Sequence, residues 1–118
     1  MKKRYRLRSN KQFQLVRREG RSWAHPFLVL CALPNDLEHS RFGFSASHWV
    51  GNAVVRNRAK RLMREATRLR QGDIKEGWDL VFIARNPIRE ASFKQVDQAV
   101  RQLLRRAGLL KAASEEMG

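Results

Sequence analysis

The sequence predicts a single-domain α+β sandwich: a mixed sheet of about four strands packed with three helices. Three observations predict it. Three stretches, at about 10–19, 52–70 and 92–107, carry apolar residues at helical spacing behind a residue that caps helices. Three more, 27–33, 41–47 and 78–84, are short and either continuously apolar or alternating, as buried and half-buried strands are. A helix also separates 41–47 from 78–84, so these strands run parallel if they share a sheet.

Taken in order, Met1 to Arg8 is basic without an apolar period. It reads as an extended, mobile arm that orders on a phosphate backbone. Ser9, followed three residues later by Gln12, fits a capping box. The helix it opens runs to Glu19, with Gly20 as its stop and Phe13 and Val16 on its inner face. From spacing alone, Phe13 is a core anchor. Arg21 to Ala24 is a short strand or edge segment. FLVLCAL (27–33) is a buried strand broken by Pro34-Asn35-Asp36. Phe42, Phe44 and Ala46 alternate with Arg41, Gly43, Ser45 and Ser47 in a half-buried strand. The 34–40 loop suggests that it pairs antiparallel with its predecessor.

Gly51-Asn52 then opens the most informative stretch, GNAVVRNRAKRLMREATRLR. Asn52 suits the N-cap. Val55, Ala59, Leu62, Met63, Ala66 and Leu69 fall within a sector of about 120°. Asn57, Lys60, Arg61, Arg64 and Arg68 fill a second sector of about 100° on nearly the opposite side, with Arg56 and Arg58 on the flanks. After a polar connection, WDLVFIA (78–84) is a strand ended by Asn86-Pro87. Ser92 caps the last helix, which turns Phe93, Val96, Val100, Leu103, Leu104 and Ala107 inward and stops at Gly108. Residues 109–118 read as a short frayed tail.

The chain of 118 residues carries a formal charge of +14. Residues 2–21 hold nine basic side chains against Glu19, and residues 56–70 hold seven against Glu65. These two segments account for the whole excess, because the remainder has nine of each sign. Concentrated positive charge on a small domain suits a polyanion. The apolar stripe of the basic helix is Val, Ala, Leu and Met. It lacks the broad aromatic face of a membrane-surface helix, so a membrane partner is excluded. No docking element for base edges stands out, which argues against duplex DNA. Cations at every outward turn suit phosphates and shape, and so RNA.

One cysteine, Cys31, excludes an internal disulfide and a cysteine-based zinc site. No apolar run approaches a membrane span, and no apolar stretch follows the basic N-terminus as in a secretory signal. These features predict a cytoplasmic protein. The acids are scattered, and His25, His39 and His48 lack ligand spacing. No Gly-rich phosphate loop or nucleophile motif is present. The sequence therefore offers no self-sufficient catalytic site, and Cys31, inside an apolar run, reads as a packing residue.

Arg56-Asn57-Arg58, followed by Ala59-Lys60-Arg61-Leu62 and Arg64-Glu65, resembles the RNR signature of the bacterial ribonuclease P protein subunit. RLRSNKQFQLV resembles that family's first helix, RFGFSAS the strand before the signature, and FIARNP its last strand and turn. The resemblance covers nearly the whole chain, as one domain over 1–118. It implies a holoenzyme in which an RNA subunit holds Mg²⁺ and cleaves precursor tRNA to release the 5′ leader, the protein supplying no catalytic residue. By the family pattern Arg56, Asn57, Arg58, Lys60, Arg61, Arg64 and Arg68 contact the catalytic RNA, with phosphate-bound ions near Asn57. A cleft between the sheet and the first helix takes the single-stranded leader. The matching cleft positions here are Phe13, Arg17, Cys31, His48 and Trp49.

The chain departs from the pattern in three places. Arg17 stands where relatives often have a second aromatic, Cys31 replaces an aromatic or polar residue, and His48-Trp49 replaces a usual Lys pair. Trp49 either restores a stacking ring or packs on the sheet edge. The resemblance also implies a left-handed crossover around the signature helix, against the general right-handed rule. The competing expectation is a general RNA-binding or ribosome-associated protein with no part in cleavage.

Overall fold

The computed structural model describes residues 1–112. In chain order the elements are α1 (Asn10–Glu19), β1 (Arg21–Ala24), β2 (Leu28–Pro34), β3 (Arg41–Ser45), α2 (Ala53–Leu69), β4 (Trp78–Ala84) and α3 (Phe93–Arg106). Each helix starts where its cap predicts. Ser9 Oγ accepts from Gln12 N at 3.1 Å, Asn52 Oδ1 from Val55 N at 3.0 Å, and Ser92 Oγ from Gln95 N at 3.2 Å. The glutamines of the first and third complete capping boxes, answering backbone N–H groups that a helix start leaves without partners. Gly108, at φ +71°, takes the left-handed turn that ends α3.

The sheet order is β1-β2-β4-β3. β1 pairs antiparallel with β2, β2 antiparallel with β4, and β3 parallel with β4. The parallel pairing matches the sequence reading. The antiparallel β2–β3 hairpin suggested by the short 34–40 loop does not form, because β4 lies between the two strands. β4 is apolar on both faces: Leu80, Phe82 and Ala84 enter one core cluster, while Val81 and Ile83 enter or border the other. A strand that needs cover on both sides is best satisfied at the centre of a sheet. β3 is better suited to the rim, since one of its faces carries only Gly43 and Ser45 between Arg41 and Ser47.

Two layers of helix cover the sheet. α2 and α3 lie on the face of Leu28, Leu30, Phe42, Leu80 and Phe82, which they bury with Ala59, Met63, Ala66, Val96, Val100, Leu103 and Leu104. α1 lies on the other face, where Val16 joins Leu7, Cys31 and Val81. Two predicted inward residues fall outside this core. Leu69 and Phe93 are exposed, each at the end of its helix.

The N-terminal expectation needs correction. Residues 3–7 are not a free arm. Lys3–Tyr5 forms a short 3₁₀ turn, Arg6 makes a parallel bridge with Phe42, and Leu7 N donates to Phe42 O at 2.9 Å. Leu7 is buried. The segment covers part of the outer edge of β3, whose backbone groups would otherwise lack partners. The tail expectation is likewise corrected at its start. Leu109 and Leu110 are buried, and Leu110 bridges Ile74. Residues 113–118 lie outside the described residues.

Asp79 ties the long loop to the sheet. Its carboxylate accepts from Arg41 Nε at 2.9 Å and Nη2 at 2.7 Å, and from Asn35 Nδ2 at 2.9 Å. The aspartate is almost fully buried, and its bond to Arg41 raises that guanidinium's pKa. Removing one partner leaves the other charge desolvated and unpaired. Asp79→Ala is therefore expected to lower stability by about 2–4 kcal/mol, read as a lower urea midpoint. A change within about 0.5 kcal/mol would mean that water supports Arg41 as well as Asp79 does.

Candidate nucleic-acid interface

The basic face of α2 is exposed where the helical wheel places it, but its side chains are not equivalent. Asn57 and Arg61 are exposed, and Lys60 and Arg56 half-buried. None of the four makes a side-chain hydrogen bond or ion pair among the described residues. Arg58 leans to the other flank, where its guanidinium donates to Ala91 O at 2.9 Å and Arg89 O at 3.5 Å. It therefore pins the 3₁₀ turn Asn86–Glu90 that follows β4. Arg68 is held by Glu65 through bonds of 2.6 and 3.0 Å. Both groups are exposed, so this pair remains open to exchange with another anion.

Arg64 differs from all of these. It packs inward over β3, with its Cζ 5.7 Å from the centroid of the Phe44 ring, within reach of a cation–π contact. Phe44 in turn stacks on Phe82, with centroids 5.6 Å apart. Burial pushes the guanidinium's pKa down, and the positive charge of Arg6 adds to the effect. The buried Nε–H of Arg64 has no hydrogen-bond partner among the described residues. The N-terminal segment thus brings one basic stretch of the sequence against the other. The sequence reading missed Arg6. Its signal is Arg4-Tyr5-Arg6-Leu7-Arg8, which alternates with the period of a strand.

The cleft positions lie on the α1 face of the sheet. Phe13 is half-buried, its ring lying on β3 so closely that a Cβ on Gly43 would stand 2.5 Å from the ring tip. Arg17 is exposed one helical turn further along α1. Cys31 is buried beneath. Burial raises its thiol pKa and the Arg17 charge opposes that, a setting for a packing thiol, not a nucleophile. His48 and Trp49 occupy the turn between β3 and α2, with ring centroids 4.6 Å apart. Trp49 is 75% exposed, so it does not pack on the sheet edge. Phe13, Arg17 and Cys31 therefore lie together on the α1 face of the sheet, while His48-Trp49 stands on the strand-to-helix turn. Among the described residues, no three His, Cys, Asp or Glu side chains gather as metal ligands. No helix is long and apolar enough to cross a membrane.

The family model for ribonuclease P matches residues 1–108. A ribonuclease P protein component of Roseiflexus castenholzii is 49% identical over 98% of this chain and 96% of its own. That of Clostridium novyi is 46% identical over 92% and 98%. Among solved structures, the Staphylococcus aureus RNase P protein superposes with a TM-score of 0.83 at 31% identity, covering 91% of this chain and 98% of its own. The Thermotoga maritima RNase P protein gives 0.78 at 32%, covering 86% and 96%.

The contact between Phe13 and Gly43 can be tested directly. Gly43→Ala forces the ring off β3 and is expected to cost about 1–2 kcal/mol, measured by denaturant titration. In a Phe13→Ala background the same change should cost under about 0.5 kcal/mol. Equal costs in both backgrounds would show that the glycine serves the strand and not the ring.

Proposed function

The chain belongs to the ribonuclease P protein family, and from that premise we propose how its surfaces serve the holoenzyme. α2 binds the catalytic RNA subunit through Arg56, Asn57, Lys60 and Arg61. Arg64 contributes from the inner flank and Arg68 after release from Glu65. Arg58 acts on the same interface mainly by fixing the turn at Arg89–Ala91. The cleft of Phe13, Arg17, Cys31, His48 and Trp49 takes the single-stranded 5′ leader of precursor tRNA. The RNA subunit carries out the cleavage that yields the mature 5′ end, and the site of action is the cytoplasm.

The observation that carries this reading is the outward row of Asn57, Lys60 and Arg61, whose side chains have no hydrogen-bond or ion-pair partner among the described residues. An α-helix dressed this way meets phosphates without reading base edges. The donor set does not suit Mg²⁺, which prefers oxygen ligands and carboxylates, whereas this surface presents cations. Mg²⁺ therefore belongs to the RNA in this proposal. Asn57 is the one neutral oxygen donor in the row and can meet ions held by RNA phosphates.

Reconstitution at low Mg²⁺ tests the proposal. Precursor tRNA is incubated with the catalytic RNA, with the protein, and with both. Cleavage by both, little by the RNA and none by the protein is the expected pattern. Cleavage by the protein alone, or no stimulation of the RNA, would defeat it.

Two substitutions refine the assignment. Arg61→Ala should weaken catalytic-RNA binding and make its dependence on log salt shallower by about one unit, with stability unchanged. Arg58→Ala should also lower stability by about 1–2 kcal/mol, because it strips two carbonyls of their donor. An unchanged salt slope for Arg61→Ala would remove it from the phosphate-facing row. In the cleft, Phe13→Ala should weaken precursor tRNA about tenfold and mature tRNA far less. Equal losses for the two substrates would place Phe13 outside leader binding.

A further inference from the structure

We infer that the cavity at the N-terminal end of β3 is a site for one unpaired guanine base of RNA. The inference rests on the RNA-binding reading above and adds to it a base-specific contact at the other end of α2.

Three segments meet at this cavity: the N-terminal 3₁₀ turn Lys3–Tyr5, the 34–40 loop with the start of β3, and the connection that follows α2. They enclose about 400 Å³, within the range of small-molecule sites. From Asn57 to the end of α2 at Leu69 is about 18 Å of helix, so the cavity stands apart from the row of Asn57, Lys60 and Arg61. Phe42 and Ile74, both buried, give it an apolar lining. The Arg4 guanidinium lies over the Tyr5 ring, 4.8 Å from its centroid, and donates to the Tyr5 hydroxyl at 2.8 Å. The Tyr5 ring stands nearly perpendicular to that of His39, with centroids 5.6 Å apart, and His39 Nε2 donates to Arg4 O at 3.1 Å. These contacts orient the lining before a ligand arrives. At Gly72, a Cβ would meet nothing within 4 Å, so the rim is open there.

The charged groups of the lining are of opposite kinds. A guanidinium only donates, and an ionised carboxylate only accepts. Arg4 and Glu38 line the same cavity, yet they form no ion pair with each other. The other carboxylate, Glu76, is held by Lys111 at 2.9 Å. The side chains of Glu38 and Gln71, and the remaining N–H groups of Arg4, have no partner among the described residues. A ligand that answers both charges needs two neighbouring donors on one edge and two neighbouring acceptors on another. Guanine has both, since N1–H and N2–H suit a carboxylate, and O6 and N7 suit a guanidinium. Adenine, cytosine and uracil lack the neighbouring donors. In a duplex the N1 edge is already paired, so the base must come from a single-stranded or bulged nucleotide.

Two measurements on the full chain test the site. In the ¹H–¹⁵N spectrum, GMP at millimolar concentration should shift the backbone amides of Tyr5, His39, Gln71 and Gly72, while AMP, CMP and UMP leave them in place. All four nucleotides carry the same phosphate, so the difference reads the base. Equal shifts with all four, or none with GMP, would overturn the site. The second measurement is binding of the catalytic RNA and, separately, of precursor tRNA, which distinguishes the two sources of the base. Glu38→Gln should weaken one of them about tenfold, and Arg4→Gln should weaken the same one. Removing an acid from a polyanion-binding surface otherwise tightens binding, so the sign of the Glu38→Gln effect is diagnostic. Glu38 is exposed and makes no side-chain bond among the described residues, so the variant keeps the fold. If Arg61→Ala weakens binding while Glu38→Gln leaves both RNAs as tightly bound or tighter, the base site fails and the RNA-binding reading stands. If the unsubstituted chain binds neither RNA, that reading fails, and the nucleotide spectra alone decide the cavity.

Discussion

Val81 and Ile83 on one side of β4, with Leu80, Phe82 and Ala84 on the other, leave that strand no face to turn to water. Burying both faces requires helices above and below the sheet and a neighbour on each edge. β2, apolar in the same two-sided way, takes one edge. β3, with Gly43 and Ser45 on its α1 face, takes the other and so becomes the rim. The placement of every functional element follows. Because β3 and β4 are parallel neighbours, the chain between them must cross from one end of the sheet to the other, and α2 is that crossing. The basic helix is thereby set beside the rim strand, its Ala59-Met63-Ala66 stripe in the core and its cations outward. On the opposite face lies α1, and the small Gly43 of β3 lets the tip of the Phe13 ring rest on the strand.

The same rim strand shows two opposite solutions for a partly buried arginine. At its first residue, Arg41 is bonded through two nitrogens to Asp79, and its pKa rises with the bond. Along the same edge, Arg64 is desolvated beside another cation, with one N–H unanswered. The first arrangement completes the free protein and anchors the 34–40 loop. The second leaves it incomplete, and it occurs where the two basic segments meet. The ion pairs Arg41–Asp79 and Lys111–Glu76 belong to the electrically balanced remainder of the chain, while Arg70, at the end of the second basic segment, is paired with Asp97 of α3. The excess of positive charge is thus confined to the two segments that hold the net +14, the distribution expected when the missing counter-charge belongs to a partner.

Local physics was the most legible part of the sequence. Caps and helical periodicity located α1, α2 and α3 to within a residue or two, because Ser9, Asn52 and Ser92 act on donors only three positions away. Non-local pairing was less legible. The 34–40 loop looked like a hairpin connection because loop length speaks for adjacent strands, whereas the two-sided apolarity of WDLVFIA speaks for a central one. The stronger signal was the second. The same holds for the N-terminus: basic residues suggested a free arm, yet Leu7 is apolar and β3 has an edge to cover. At the candidate site the helical wheel ranked Arg61, Arg64 and Arg68 alike, with Arg58 on the flank. Only coordinates separate Arg61, without a side-chain partner among the described residues, from Arg68 on Glu65 and Arg64 over Phe44, and show that Arg58 reaches two carbonyls. A wheel records the direction of a side chain, not what it reaches.

In the proposed function, the cleft positions and the basic helix ask different things of a nucleic acid. Phe13 sets the tip of its ring on Gly43 of β3, so the contact that fixes the ring is made by its edge. Cys31 below it is small and unreactive, and Arg17 above it offers charge without a ring. The second aromatic pair, His48-Trp49, stands in the turn that leads into α2 and is open to solvent. A strand bound as proposed would meet a ring, a cation and a second ring, with no array of donors set to read base edges. Stacking tolerates any base, and a cation tolerates any phosphate. In the proposed role, such an arrangement would favour a flexible single strand, whose bases can turn onto the rings, over a duplex, whose bases are already stacked. The helix makes the complementary demand, since its cations lie at the fixed spacing of helical turns and match a phosphate surface that holds its own shape.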